Sequence, residues 1–250
     1  TLVGKVLNYE NAAFDINWHG NQLFVSDNAK KRASNNDCID DPAGNFFDIT
    51  NELISQYATP NGQIVNRLFY ADCHQDDVPY PSHYEASAIA LQSKFTSQIE
   101  NGQGFVTYVG HAGTRRWADE SIVSLTQMEN LRNSDQLTIM LPMTCLEGQY
   151  HRFDLVDSNG QEVSGMSETM LKNPDGGAVA SYAPTGLAVA TGHDYLWEGF
   201  NAQVFEQGKR IIGQAVFGAK NNLPNNNYVD LHDTFLLLGD PAMQLKIWDG

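Results

Sequence analysis

Positive charge is scarce in this sequence. Fifteen Lys and Arg stand against 30 Asp and Glu, a formal net charge of −15. Binding along nucleic-acid phosphates needs clustered cations, so this balance excludes nucleic acid as a partner and disfavours an anionic membrane surface. Long apolar runs are missing too: none approaches the ~20 residues of a membrane-spanning helix, so no membrane span is expected. There is no signal-peptide pattern, and the opening TLVGKVLNYE reads as part of a helix, as in the mature piece of a longer protein. Internal repeats, low-complexity tracts, a phosphate-binding glycine loop and a Gly-x-Ser-x-Gly turn are all absent. Zinc spacing is absent as well, since Cys73, His74 and His83 do not fall at ligand intervals.

Cysteine is sparse, with three residues. Cys38 and Cys73 fall in polar, loop-like sequence and could pair in an oxidising compartment, which would leave Cys145 as the single thiol. Acidity of this degree suits a secreted protein or one that binds Ca²⁺, and many ordinary soluble enzymes share it.

What is present is a globular composition, 42% apolar and 18% charged over 250 residues, enough for a substantial core. Short apolar runs bounded by turn residues predict strands at Gln22–Ser26, Val65–Tyr70, Phe105–Gly110, Leu137–Met143, Ala178–Tyr182, Phe235–Leu238 and Gln244–Trp248. Helical patterns lie between them at Ile49–Tyr57, His83–Glu100, around Glu168–Leu171, and at Leu196–Gln207 and Ile211–Lys220. Alternation of this kind predicts an α/β fold with a mainly parallel sheet covered on both faces. Three long loops are expected, at Asp27–Asn45, Ala71–Ser82 and Asn221–Asp230.

In such sheets ligands bind at the carboxyl ends of the strands. Two runs end there on reactive side chains: VTYVGHAG on His111 and LTIMLPMTCLEG on Cys145. A thiolate nucleophile needs a proton carrier and N–H donors for the oxyanion. His111 supplies the first, and the backbone N–H groups of Ala112 and Cys145 can supply the second. The plain alternative for each residue alone is a core histidine and a buried apolar cysteine.

The ordered segments GFVTYVGHAGTRRWADE, LTIMLPMTCLEGQY, SETMLKNPDGGAVASYAPTG and LLGDPAMQL resemble the gingipain family of caspase-like cysteine peptidases. The likeness covers Gly104 to Leu245 closely and runs more thinly back to Thr1. It implies a caspase-like three-layer α/β/α sandwich, with residues 1–250 forming one catalytic subdomain of a parent chain that carries further domains. It implies a cysteine endopeptidase acting on polypeptides, with Cys145 as nucleophile, His111 as general acid/base and no cofactor in the chemistry. Two features depart from the family pattern. Ala112 replaces the usual glycine after the histidine, which preserves the N–H donor unless that position requires positive φ. The family's third catalytic acid, just after an earlier strand, is matched by Asp27 in QLFVSDN, which reads equally well as a turn residue.

Asp48 in FFDITNELI stands beside the place of the acid that gives Arg-cleaving members their preference at P1. Its alternative is a helix N-cap. Trp117 and two residues of SYAPTG, Tyr182 and Thr185, are expected to line the substrate groove. The loop acids Asp37, Asp40 and Asp41 match the hard-oxygen chemistry of structural Ca²⁺, which the family commonly binds, and also read as solvated loop charge. Two other functions are compatible with the same residues: a non-catalytic binding module of a surface protein, and a transpeptidase using the same Cys–His pair.

Overall fold

The structure is a computed structural model describing residues 1–73, 81–151, 156, 160, 164–187, 190–224 and 227–247. It opens with α1 (Leu2–Asn11), capped by the Thr1 hydroxyl accepting from the Gly4 N–H, and the short α2 (Ile16–His19). Strand β1 (Asn21–Ser26) leads into a hairpin of β2 (Lys30–Arg32) and β3 (Cys38–Asp40), then α3 (Phe46–Leu53), which continues as a π-helical turn. Next come β4 (Ile64–Tyr70), β5 (Tyr84–Glu85), α4 (Ala88–Glu100) and β6 (Phe105–Val109). A small antiparallel sheet follows, of β7 (Ala112–Gly113), β8 (Arg116–Trp117) and β9 (Val123–Ser124), and then α5 (Leu125–Asn130). The rest is β10 (Thr138–Met143), α6 (Met166–Lys172), β11 (Ala178–Pro184), α7 (Ala190–Asn201), α8 (Ile212–Asn221), α9 (Val229–Thr234) and β12 (Phe235–Leu238).

Seven strands form the central sheet in the order β12-β11-β10-β6-β1-β4-β5. All pairings are parallel except β11 with β12. This is the mixed α/β sandwich expected from the alternating pattern. Strands β6 and β10 are buried along their whole length because both faces carry helices. Phe24, Ile139 and Leu141 point to one face, against Trp197 and Phe200 of α7 and Ala215 of α8. Leu23, Val25, Val106 and Met140 point to the other, against Leu91 and Phe95 of α4 and Met170 of α6. Period-two alternation along each strand divides the core into these two layers.

Several boundaries differ from the sequence reading, each for a local reason. The helix expected from His83 starts at Ala88, where the Ser87 hydroxyl accepts from the Ala90 N–H; Tyr84–Glu85 instead adds an edge strand to β4. Residues 244–248 do not form a strand in their described part, where Gln244 makes a single antiparallel bridge to Ile211. Trp248 lies outside the described residues, as do His74 and most of the expected loop after Ala71. Helix α1 inverts the usual pattern: Lys5 is buried, while Leu2, Val3 and Leu7 are exposed. Its Nζ donates to the carbonyls of Met170, Leu171 and Ala178, which ties α1 to the end of α6 and the start of β11. Burial pushes the Lys5 amine down to about 8.

The loop Asp27–Asn45 is ordered by the β2–β3 hairpin and by a disulfide between Cys38 and Cys73, with Cα atoms 5.5 Å apart. Arg32 pairs with Asp72 at 3.5 Å beside it, and Asn28 Nδ2 donates to the Asp72 carboxylate. The crosslink spans 35 positions. Chain-entropy arguments give a loop of that size a stabilisation of about 3–4 kcal/mol. Replacing both cysteines by serine should therefore lower the unfolding free energy by about that amount and the denaturation midpoint with it. A midpoint unchanged within error would remove the brace from the account of this loop.

Candidate active site

Register, more than any single side chain, builds this site. In the parallel pair β6–β10, Val109 lies opposite Met143. One step on, the Thr144 hydroxyl donates to the Gly110 carbonyl at 2.6 Å, which locks the two strand ends together. The next residues are His111 and Cys145. Adjacent strands lie about 4.8 Å apart, so the pairing carries both residues to the same end of neighbouring strands. Cys145 is half-buried, and the His111 side chain is 52% exposed.

The imidazole is held from two sides. Nε2 lies 3.2 and 3.3 Å from the two carboxylate oxygens of Asp41, whose side chain is only 2% exposed. Phe46, the first residue of α3, presents its ring edge to the imidazole with centroids 5.3 Å apart. Asp41 is fixed in turn. Its N–H donates to Ala29, its carbonyl accepts from Gly44, and its Oδ1 accepts from the Ala43 N–H.

Asp27 does something different from the expected role on the ring. One carboxylate oxygen accepts from the His111 main-chain N–H at 3.0 Å and the other from the Asn28 N–H at 2.8 Å. It therefore positions the histidine's backbone, and Asp41 is the carboxylate on the imidazole. Gly110 is required by this packing: a Cβ there would lie 2.3 Å from the Asp27 Cβ and 2.6 Å from the Tyr108 hydroxyl. Burial pushes the Asp27 carboxyl up to about 7, against the pull of its two N–H donors and of His111.

After Cys145 the chain turns sharply. Leu146 takes a left-handed conformation, φ +59°, a strained state for a branched side chain. Its N–H donates to the Gly186 carbonyl and the Gly148 N–H to the Pro184 carbonyl, so the turn is pinned to the end of β11. Ala112 is not among the residues with positive φ, so alanine costs that position nothing.

The remaining expected residues divide. Trp117 is fully buried, stacked on Tyr108 with centroids 4.2 Å apart, and Tyr182 is fully buried against Phe235. Neither offers surface to a substrate. Thr185 is nearly buried, with its N–H and hydroxyl both donating to the Thr234 carbonyl. Asp48 is exposed, and it is not the cap of α3: Asn45 caps, accepting from the N–H groups of Phe47 and Asp48, while its amide donates to the Asp48 carboxylate. The loop acids do not converge as calcium ligands. Asp41 faces His111, Asp37 accepts from the Asn35 amide, and Asp40 lies exposed in β3. Among the described residues no group of three or more His, Cys, Asp or Glu could hold a metal.

A cavity of about 380 Å³ opens beside the imidazole, lined by Asp27, Lys31, Asp41, His111, Arg116 and Glu120. A larger cleft, about 940 Å³, lies at the amino ends of the strands among Phe14, Trp18, Glu100 and Arg132, away from both strand-end residues. An acidic group that sequence patterns did not reveal joins α3 to α7. Burial, together with the charges of Glu198 and Glu52, pushes Asp194 up to about 7.

The family model for peptidase family C25 matches residues 1–246. The chain belongs to peptidase family C25. Among solved structures it is similar to the Arg-specific cysteine proteinase gingipain R (RgpB), with 19% identity and a TM-score of 0.70 over 98% of this chain and 52% of that one. The complex of Porphyromonas gingivalis RgpB pro- and mature domains matches at 17% identity and a TM-score of 0.71, covering 98% of this chain and 53% of the other. A further protease structure matches at 17% identity and a TM-score of 0.64. The chain thus spans about half the length of the structures it resembles. No curated protein sequence matches it. At these identities the structural likeness speaks for the fold, and membership of C25 makes the chain a cysteine peptidase domain.

Two predictions follow from the carboxylates of this C25 site. Asp41→Asn should lower kcat at least about tenfold with little change in thermal midpoint, because the ring partner loses its charge. Asp27→Asn should do the reverse: it offers one acceptor where two N–H groups need one, at a cost of about 1–3 kcal/mol in stability. Steady-state kinetics and thermal melts on both variants check this, and the opposite assignment would exchange the two roles.

The second prediction concerns pH. Asp27, Glu147 and Asp194 all sit near 7 in the folded chain, above ordinary values of 3.8, 4.5 and 3.8. Between those limits these three groups bind more protons in the folded state than in the unfolded state, which outweighs the opposing effect of buried His193, lowered to about 4, so stability falls as pH rises from about 4.5 to about 7. Above that window these groups contribute no further slope. Melts at pH 5 and pH 7.5 should show the higher midpoint at pH 5.

Proposed function

We propose that this chain is the catalytic part of a cysteine endopeptidase, with Cys145 as nucleophile and His111 as general acid/base. The observation that carries the reading is the β6–β10 register, which sets the two residues on adjacent strand ends, with Asp41 on Nε2 of the imidazole. Nδ1 is then the nitrogen that exchanges a proton with the thiol. The Cys145 thiolate attacks the scissile carbonyl, and the N–H groups of Cys145 and Ala112 receive the oxyanion. His111 protonates the departing amine and Asp41 stabilises the imidazolium. Water, deprotonated by His111, then hydrolyses the thioester. No cofactor takes part. A secreted or cell-surface setting is supported by the Cys38–Cys73 disulfide, which persists in oxidising compartments.

We read the P1 preference as basic, with Arg favoured. The support is the acidity of α3 and α7, which carry Asp48, Glu52, Asp194 and Glu198. A carboxylate meeting a guanidinium in a bidentate pair distinguishes Arg from Lys by shape as well as charge.

The test uses peptidyl acyloxymethyl ketones with Arg, Lys or Leu at P1, followed by mass spectrometry. Adduct should form on Cys145, fastest with Arg, and Cys145→Ala should abolish peptide cleavage while leaving the fold intact. Cleavage persisting at the wild-type rate in that variant would remove the nucleophile assignment. Asp48→Asn should reduce kcat/KM for Arg substrates by about 10- to 100-fold, the scale of a hydrogen bond to a charged group, and leave Leu substrates unchanged. A uniform response across the three would take Asp48 out of the pocket.

A further inference from the structure

Two residues beyond Cys145 lies a fully buried acid. Glu147 has no exposed surface, yet it is the residue on which the loops around the site converge. Its Oε2 accepts from the Trp117 indole N–H at 2.7 Å, and its Oε1 accepts from the Ser167 hydroxyl at 3.2 Å. Ser167 in turn pairs with the Ser181 hydroxyl at 2.9 Å. The Glu147 carbonyl accepts from the Ser167 N–H. One side chain and its own carbonyl thus bind the nucleophile turn to β8, α6 and β11.

The Trp117 end of this clamp is tied to the histidine. Trp117 lies opposite Ala112 in the β7–β8 pair, and the next residue, Ala118, donates its N–H to the His111 carbonyl. Tyr108, which stacks on the Trp117 indole, donates its hydroxyl to that same carbonyl at 2.6 Å. The loop of His111 and Ala112 and the turn of Cys145 are therefore joined twice: above by Thr144 on Gly110, and below by Glu147 on Trp117. The turn has little room to shift independently. A Cβ on Gly148 would lie 2.9 Å from the Ala183 Cβ, and one on Gly165 would lie 2.8 Å from the Gln149 carbonyl oxygen.

A buried carboxyl is costly unless it is satisfied. An acid packed behind a nucleophile, with both oxygens given to donors from different elements, is explained by what it holds in place. We propose that Glu147 is a positioning residue that sets the spacing between the Cys145 turn and the His111–Ala112 loop, and so the alignment of thiol, imidazole and the two oxyanion donors. It touches no substrate. The inference rests on the reading of Cys145 as nucleophile.

Glu147→Gln keeps an acceptor for Trp117 and a polar partner for Ser167, and should retain kcat within about fivefold. Glu147→Ala removes both contacts, and should lower kcat about 100-fold, the scale of a small misalignment of reacting groups, with KM changed less than threefold. Trp117→Phe keeps the ring on Tyr108 but loses the N–H, and should lower kcat in the same sense. It also serves if Glu147→Ala does not fold. Combined with Glu147→Ala it should add little, because both break one contact.

Labelling separates the two levels of the argument. Iodoacetamide, which needs the thiolate but not the oxyanion donors, should lose less of its rate at Cys145 in Glu147→Ala than the ketone does. A peptidyl acyloxymethyl ketone should label the variant far more slowly than wild type. If the wild-type chain is not labelled at Cys145 by the ketone, the nucleophile reading fails. If wild type and Glu147→Ala are labelled equally fast, or if Glu147→Gln is as inactive as Glu147→Ala, the positioning role is overturned.

Discussion

Parallel pairing of β6 with β10 is the constraint from which the candidate site follows. The pair lies at the middle of the sheet, with helices on both faces, so a slip of one residue would turn every core side chain to the wrong layer. The hydrophobic core therefore fixes the register, and the register fixes Gly110 beside Thr144. Residues one step further inherit their proximity. His111 and Cys145 each follow that locked pair by one residue, so their placement depends on the strands beneath them staying in step.

What register does not fix is orientation, and that is supplied by less regular chain. The loop after β1 brings Asp41 to the imidazole, and α3 brings Phe46 to its edge. That loop stays in place through the β2–β3 hairpin, the Cys38–Cys73 bond and the Arg32–Asp72 pair. Asp27 fastens the histidine backbone to the end of β1. Two acids thus share the support of one histidine, one on the main chain and one on the ring.

This division explains what the sequence disclosed and what it concealed. Strand ends, and the reactive residues on them, were legible because apolar runs of β6 and β10 stop abruptly at Gly110 and Thr144. Asp27 was visible for the same reason, as an acid directly after a strand, but strand-end position cannot say whether a carboxylate reaches a ring or an N–H. Asp41 was hidden among Asp37, Asp40 and several asparagines, where local composition suggests oxygen ligands for a cation. Only the fold of the hairpin separates it from them, burying its carboxylate while the others stay in water. Trp117 and Tyr182 misled in the opposite direction. Aromatic residues near a site suggest a groove wall, but Trp117 stacks on Tyr108 across the turn after β6 and Tyr182 packs on the distant Phe235, contacts that composition does not announce. Asp194 beside Glu52 is likewise a meeting of two helices far apart in the chain.

Polar groups inside this core share a common placement. Asp27 and Glu147 are buried carboxyls at the carboxyl end of the sheet, each with both oxygens accepting from donors, at least one of them on another segment. Leu146 stands between Cys145 and Glu147 in a conformation that branched residues avoid. Each feature lowers stability when taken alone, since apolar replacements of buried ionisable groups are often neutral or stabilising. Their concentration within a few residues of His111 and Cys145, while the amino ends of β6 and β10 are packed with Phe105, Leu137 and Ile139, has a physical reading. Hydrophobic packing specifies the sheet but tolerates small shifts. Hydrogen bonds with two fixed partners do not, and the proposed alignment of a thiol, an imidazole and two N–H donors needs that stricter geometry.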